Sequence, residues 1–308
     1  MRLVFLGAAG FAVPSLEALA RSAHEVAAVV VPPPAPSGRG RRLAPTPVEA
    51  AARERGLPVL SPADPNDPGF VARLAGLGPE LGALVAFGRV LRPSLLAVPA
   101  RGFVNLHPSL LPRWRGAAPI QRALMAGDTI TGLSVIRMNE RVDAGDVLAI
   151  AEEPVGPDET AGELSDRLAA AGAALLLATV DRLATGDVPG LPQDSALATP
   201  APKVGPADRA LDWCRPACEL HDRVRALSPE PGATAGFRDR RLLVFRSCPA
   251  GPQPTAQPGE ILLARPGLVA QTGAGALELL EVQPEGGRRQ PGLDFRNGAR
   301  LSPGERLT

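Results

Sequence analysis

An amide and an imidazole stand two residues apart at the end of an apolar run, in the segment FVNLHPSLLP at residues 103–112. Because side chains alternate along a strand, Asn105 and His107 point to the same side. The amide donates hydrogen bonds without titrating, and the imidazole donates or carries a positive charge near neutral pH. The prolines that follow end the strand and shape a loop that contains two leucines. This arrangement predicts a pocket for a flat, partly apolar ligand, although an Asn-x-His pair is also compatible with a buried structural pair.

A carboxylate joins these two side chains further along the chain, in the turn Asp143-Ala144-Gly145-Asp146. Asp-x-Gly-Asp is ordinary turn chemistry, so either acid could serve only to shape the turn. Combined with the upstream run, Asp143 is the candidate functional carboxylate, and Asp146 is expected to be structural.

The run from Asn105 to Gln121, taken with the Asp143 turn, resembles the 10-formyltetrahydrofolate-dependent formyltransferase family, and most closely its methionyl-tRNA formyltransferase branch. The likeness covers nearly the whole chain. It departs from the family at residues 8–10, where Ala-Ala-Gly replaces a Thr-Pro-Asp-like turn, and at residues 228–231, where Ser-Pro-Glu-Pro replaces Asn-Pro-Trp-Pro.

The resemblance implies that Asn105, His107 and Asp143 catalyse transfer of a formyl group from a folate nitrogen to an amine. Such a transfer passes through a tetrahedral intermediate with a negatively charged oxygen. Asn105 and His107 would donate hydrogen bonds to that oxygen, and Asp143 would take the proton of the amine, directly or through a water. No cysteine lies near this region and Ser109 has no sign of a nucleophile elbow, so direct transfer is favoured over a covalent enzyme intermediate.

By the same resemblance, the co-substrate 10-formyltetrahydrofolate rests against the loop after the strand and one aromatic residue. The expected folate-binding residues are Phe87, Ser109, Leu110, Leu111 and Pro112. No metal is expected, because the three cysteines are odd in number and lack the spacing of metal ligands.

Short apolar runs alternate with helical stretches over the first two thirds of the chain, as βαβ units do. The predicted fold is therefore α/β, a Rossmann-like doubly wound and mostly parallel sheet, whose ligands bind beyond the carboxyl ends of the strands. A dinucleotide is excluded because the first turn lacks G-x-G-x-x-G and residues 32–34 are prolines where a ribose-binding acid is needed.

Chain length and composition predict two domains. Residues 1–188 are the predicted catalytic domain, residues 189–206 a linker rich in proline and glycine, and residues 207–308 a second domain of short apolar runs. That pattern suggests a small β-barrel, and the resemblance implies an OB-like tRNA-binding domain.

The net charge of +1 gives no global attraction to nucleic acid, so any RNA contact must come from local patches. The flexible basic segment at residues 36–42 occupies the position of a family loop that reaches toward the acceptor end of tRNA, and a single lysine stands in an Ala-Pro-Lys motif. The expected tRNA-binding residues are Arg39, Arg41, Arg42 and Lys203. A solvated surface loop is the alternative.

No signal segment and no uninterrupted apolar run of bilayer length is evident, so a cytoplasmic protein that does not bind membranes is expected. We expect a monomer that uses initiator Met-tRNA as acceptor. The alternatives are a formyltransferase that acts on an amino sugar or another small amine, and a non-catalytic RNA-binding or folate-binding protein.

Overall fold

The computed structural model describes residues 1–37, 42–251 and 256–308, except for the side chains of residues 35–37, 42 and 43. The chain divides into two compact units. The first unit comprises Met1–Pro119, Ile130–Pro154 and Ser165–Ala201, and the second comprises Ile120–Thr129, Val155–Leu164 and Pro202–Thr308. Residues 189–201, which were predicted as part of a linker, cluster with the first unit.

The first unit is built on a mostly parallel sheet. The strands of this unit are β1 (Arg2–Gly7), β2 (Glu25–Val30), β3 (Ala35–Ser37), β4 (Arg42–Ala44), β5 (Val59–Leu60), β6 (Leu81–Val85), β7 (Phe103–His107), β8 (Arg115–Gly116), β9 (Ile130–Arg137), β10 (Val147–Pro154) and β11 (Pro200–Ala201). The helices of this part of the chain are α1 (Val13–Ala20), α2 (Pro47–Glu54), α3 (Pro68–Ala75), α4 (Pro93–Leu96), α5 (Pro119–Met125) and α6 (Ala161–Thr185). Helix α5 and the first turn of α6 cluster largely with the second unit.

Seven strands form the main sheet in the order β10-β9-β7-β6-β1-β2-β5. The five strands from β7 to β5 run parallel. At the other edge, β9 pairs antiparallel with β7, and β10 pairs antiparallel with β9. After β1 the chain builds outward through β2 and β5, and then returns to the other side of β1 to form β6 and β7. This reversal makes the sheet doubly wound, and the predicted fold class is confirmed.

Helix starts follow the sequence signals. Thr46 caps α2 by accepting a hydrogen bond from the backbone N–H of Glu49 at 3.1 Å. Thr160 and Glu163 form a capping box at the start of α6, in which Glu163 accepts from the backbone N–H of Thr160 at 2.9 Å. A side-chain oxygen at these positions satisfies backbone N–H groups that have no partner within the helix.

Strand β7 is fixed from two sides by close approaches to glycine. A Cβ at Gly82 of β6 would overlap the ring of Phe103, and a Cβ at Gly172 of α6 would lie 2.7 Å from Cδ2 of Leu106. Both apolar side chains are at most 2% exposed. Packing of this density makes β7 a rigid support for the polar residues that alternate with them.

By length and composition α6 is apolar enough to cross a membrane. The same composition is found in core helices, and its leucines 164, 168 and 176 are fully buried within the structure. The helix therefore serves here as part of the core.

The second unit is an antiparallel, barrel-like domain, as expected. Its strands are β12 (Ala233–Phe237), β13 (Arg240–Ala250), β14 (Val269–Gln271), β15 (Ala276–Pro284) and β16 (Gln290–Pro291), and its further helices are α7 (Pro206–Arg209), α8 (Ala217–Ala226) and α9 (Gly292–Ala299). The strand order is β12-β13-β15-β14, with β16 paired to β15. The apolar run at residues 260–263 forms isolated bridges.

Candidate active site

Strand β7 places Asn105 and His107 side by side at the carboxyl end of the parallel sheet. Asn105 pairs with Leu84 of β6 and Ile136 of β9, and His107 pairs with Ser134 of β9. The two polar residues are 7% and 4% exposed, so both are buried. Their shared side of the strand is the consequence of the two-residue repeat.

Both side chains meet the carboxylate of Asp143. Asn105 Nδ2 donates to Asp143 Oδ1 at 3.2 Å, and His107 Nδ1 lies 3.6 Å from Asp143 Oδ2. The backbone N–H of Gly116 also donates to Oδ2, at 2.9 Å. The structure thus brings together the three side chains that were predicted to act together, although they lie up to 38 residues apart in the sequence.

The hydrogen bonds of His107 define which ring nitrogen faces the carboxylate. Nε2 lies 2.9 Å from the carbonyl oxygen of Trp114. A carbonyl oxygen only accepts, so Nε2 carries a hydrogen and donates. Nδ1 is therefore the nitrogen that can gain a proton, and the carboxylate of Asp143 is placed to balance the resulting charge.

The loop after β7 is stiffened by hydroxyl groups. Ser109 is fully buried and its Oγ donates to the carbonyl oxygen of Arg113 at 2.7 Å. Ser134 Oγ donates to the carbonyl oxygen of Ser109 at 2.8 Å and accepts from the N–H of Leu111 at 3.1 Å. The hydroxyl of Ser109 is therefore engaged within the loop.

The apolar loop residues divide between core and surface. Leu111 is buried in a cluster with Ile136 and Val147, whereas Leu110 and Pro112 are half-buried. Phe87 is 3% exposed and belongs to the core cluster of the first unit. The half-buried pair supplies apolar surface on the loop that follows β7.

The first unit also brings to the site residues that are not among the predicted site residues. Gly116 supplies the backbone donor to Asp143, and Gln193 donates to backbone carbonyl oxygens of the Asp143 turn. Thr199 Oγ1 accepts from the N–H of Trp114 at 2.9 Å. Gly116 lies inside the run from Asn105 to Gln121 on which the family resemblance rests. Gln193 and Thr199 lie in the predicted linker, where no local sequence pattern indicates a role for them.

Of the residues expected to bind tRNA, Arg39 and Arg41 lie outside the described residues, as does the side chain of Arg42. Lys203 is exposed in the second unit.

A basic and aromatic cleft of about 380 Å³ lies in the second unit, next to the hairpin of β12 and β13. Its lining includes Phe237, Arg240, Arg241 and Phe295. The two rings pack edge to face with centroids 5.4 Å apart. Arg238, which also lines the cleft, pairs with Glu305 at 2.5 Å.

Arg246, further along the same hairpin, contacts Glu163 in an ion pair. Hydrogen bonds from Thr160 and from Arg246 lower the pKa of Glu163 to about 2. Across the described parts of the chain, no three His, Cys, Asp or Glu side chains are grouped closely enough to hold a metal ion.

Comparisons with known proteins agree with this architecture. Residues 1–180 match the family model described as formyl transferase, and residues 203–300 match the model described as formyl transferase, C-terminal domain. Methionyl-tRNA formyltransferase of Streptomyces coelicolor is 46% identical over 308 residues, which cover 100% of this chain and 99% of that protein. The protein of the same name from Symbiobacterium thermophilum is 45% identical over 311 residues, covering 100% and 95%.

Solved structures share the fold at lower identity. An N-formyltransferase of Helicobacter canadensis, in complex with folinic acid and dTDP-3-aminofucose, aligns with a TM-score of 0.69 at 15% identity, covering 90% of this chain and 98% of that one. HypX of Aquifex aeolicus, in complex with tetrahydrofolic acid, aligns with a TM-score of 0.64 at 20% identity, covering 96% and 47%. The full-length matches confirm the resemblance seen in the sequence, and the chain belongs to the methionyl-tRNA formyltransferase family.

Proposed function

We propose that this chain transfers the formyl group of 10-formyltetrahydrofolate to the amino group of methionine on initiator tRNA. The observation that carries the proposal is the convergence of Asn105, His107 and Asp143 at the carboxyl end of the sheet. Ligands of open α/β sheets bind at that edge. Relatives matched over the whole chain, including its second unit, favour a tRNA acceptor over a small amine.

Asn105 and His107 stabilise the oxygen of the formyl group as it gains negative charge. The Asn105 amide has two hydrogens, and one of them is directed to Asp143. The second hydrogen remains for the oxyanion. His107 donates to it from Nδ1 when the ring is protonated, because Nε2 is held by Trp114.

Asp143 accepts the proton that the attacking amine loses. A bond forms between the amine nitrogen and the formyl carbon, the bond from that carbon to the folate nitrogen breaks, and the folate nitrogen receives a proton. No residue of the chain is modified in this sequence. The hydrogen bonds from Asn105 and Gly116 hold the carboxylate in place for this step.

A folate-based donor fits the residues beside this polar cluster. Leu110 and Pro112 present apolar surface for a flat ring system, and Leu111 and the hydroxyl of Ser109 stiffen the loop that carries them. The solved relative with bound tetrahydrofolic acid supports this ligand class. Phe87 contributes by shaping the end of β6, from its place in the core.

The residues proposed to bind the tRNA are Arg39, Arg41 and Arg42 of the basic segment at residues 36–42, Lys203, and Arg240 and Arg241 of the cleft. Arginine donors track phosphate oxygens, and an aromatic ring next to them can stack on a base. The protein acts as a cytoplasmic monomer.

Transfer of a labelled formyl group from 10-formyltetrahydrofolate tests this function. The acceptors are methionyl initiator tRNA, methionyl elongator tRNA, free amino sugars and glycinamide ribonucleotide, offered in parallel. We expect strong labelling of the initiator species. Labelling of only a small amine would overturn the tRNA assignment, and no labelling of any acceptor would favour a binding role.

A further inference from the structure

We propose that Gln193 is a positioning residue that holds Asp143 in its catalytic geometry. This inference rests on the catalytic role of Asp143 proposed above. The Nε2 group of Gln193 donates to the carbonyl oxygen of Asp143 at 2.9 Å and to that of Gly145 at 2.7 Å. One amide therefore ties down both ends of the short turn that presents the carboxylate.

The orientation of the Gln193 amide is fixed by Arg115. The guanidinium donates to Gln193 Oε1 from Nε at 3.1 Å and from Nη2 at 2.7 Å. Arginine has donors only, so the atom that faces it must be the amide oxygen, and the two N–H groups must face the turn. Both hydrogens and both lone pairs of the amide are then used, and this leaves Gln193 a single arrangement.

Asp143 needs such a restraint because its backbone is in the left-handed region. Its φ is 49°, where a residue with a side chain is disfavoured by about 1 kcal/mol or more. If the turn relaxed toward negative φ, the carboxylate would swing away from Asn105 Nδ2 and from the N–H of Gly116. Fixing the two carbonyl groups of the turn opposes that relaxation.

The contacts close into a ring through three separate parts of the first unit. Asp143 accepts from Gly116, Gly116 follows Arg115, Arg115 holds Gln193, and Gln193 holds the Asp143 turn. Removing Gln193 opens this ring without touching Asn105 or His107. The expected defect is in the placement of the carboxylate, which lowers turnover and leaves binding of the folate unchanged.

Two substitutions separate this role from simple packing. Gln193→Glu keeps the shape and the acceptor for Arg115, but it lacks both N–H donors and sets a carboxylate oxygen against two carbonyl oxygens. Gln193→Met removes all four hydrogen bonds. We expect each variant to lower kcat by about 10-fold to 100-fold while KM for 10-formyltetrahydrofolate stays within about twofold, because small misplacements of a catalytic group cost that much.

The matched control is Gln283→Glu, since Gln283 also donates to one backbone carbonyl but lies in the second unit. It should turn over like the wild-type protein. Thermal unfolding and KM for the folate report whether each variant is folded. If Gln193→Met fails to fold, kcat and KM of the isosteric Gln193→Glu variant test the positioning role.

A double-mutant cycle with Asp143→Asn tests whether Gln193 acts through the carboxylate. If it does, adding Gln193→Met to Asp143→Asn should lower kcat by less than about threefold further, because residues that act as a unit are not additive. An equal loss in both backgrounds would overturn the positioning role. If both single Gln193 variants keep the wild-type kcat while Asp143→Asn is impaired, the positioning role of Gln193 is overturned and the catalytic assignment of Asp143 stands. Wild-type turnover by Asp143→Asn would overturn both.

Discussion

His107 donates its Nε2 hydrogen to the carbonyl oxygen of Trp114 across 2.9 Å, seven residues further along the chain. This bond directs the other ring nitrogen to Asp143, at 3.6 Å. Trp114 itself has a φ of 62° and is anchored through its N–H to Thr199. The orientation of the imidazole is thus set by backbone groups of the loop that follows its own strand.

Asn105 offers the first test of the proposed oxyanion donors. Asn105→Ala should lower kcat about 100-fold, because one donor to the developing charge is lost. The small methyl group leaves β7 and its apolar neighbours intact, so the thermal midpoint should change little. Asn297→Ala is the matched control, since Asn297 is exposed on α9. Wild-type kcat for Asn105→Ala in the labelled-formyl assay would exclude this role.

Asp143→Asn tests the proposed base. The amide can still accept from the N–H of Gly116, but it takes no proton, so turnover should fall by about two or more orders of magnitude. Asp146→Asn changes an exposed acid three residues away and should stay active. Steady-state kinetics with Met-tRNA distinguish the two. An active Asp143→Asn enzyme would require another base.

Gly116→Ala probes the backbone donor. Gly116 has a φ of 129°, and a Cβ there would lie 2.7 Å from the carbonyl oxygen of Ala201. Strain of this kind costs about 1–3 kcal/mol, so the free energy of unfolding should drop by that amount. The displaced N–H should also lower kcat. Gly186→Ala, where a Cβ meets open space, is the control. Denaturant unfolding that gives equal stability for both variants would contradict this account of β8 and β11.

If the cleft of the second unit binds tRNA, loss of its arginines should weaken tRNA binding and leave folate binding unchanged. Replacing Arg240 and Arg241 by alanine should raise KM for Met-tRNA several-fold and reduce its salt dependence, because phosphate contacts release counterions. KM for the folate should not change. Arg182→Ala removes an exposed arginine of α6 and serves as control. An unchanged KM for Met-tRNA at low and at moderate salt would remove the cleft from the tRNA-binding surface.

The lowered pKa of Glu163 leads us to expect a stability that depends on pH. Its pKa is lowered from 4.5 to about 2 in the folded protein, by hydrogen bonds from Thr160 and then by Arg246. A group whose pKa is lowered on folding stabilises above its unfolded pKa, and that contribution is lost as pH falls through the folded value. The loss is therefore expected between about pH 4.5 and about pH 2.

Glu163→Gln should flatten the fall of unfolding free energy in that window, as measured by denaturant unfolding at several pH values. Glu54→Gln, which alters an exposed acid of α2, should leave the slope unchanged. Parallel curves for wild type and Glu163→Gln would show that the capping box and the Arg246 pair do not contribute.

By itself, the sequence determined the local structure and the identity of the catalytic candidates. The two-residue repeat of β7 puts Asn105 and His107 on one side of the strand. Thr46 and Thr160, each followed three residues later by a glutamate, mark helix starts in the sequence, because alternation and capping depend on neighbours along the chain.

Only the tertiary structure decided what surrounds Asp143. Its contact with Gln193 joins positions 50 residues apart, within a segment whose composition suggested a linker. The anchoring of Trp114 by Thr199 spans 85 residues. Such contacts depend on how loops are brought together after the sheet has formed, and a single polar residue in a loop leaves no periodic signal that could announce its partner.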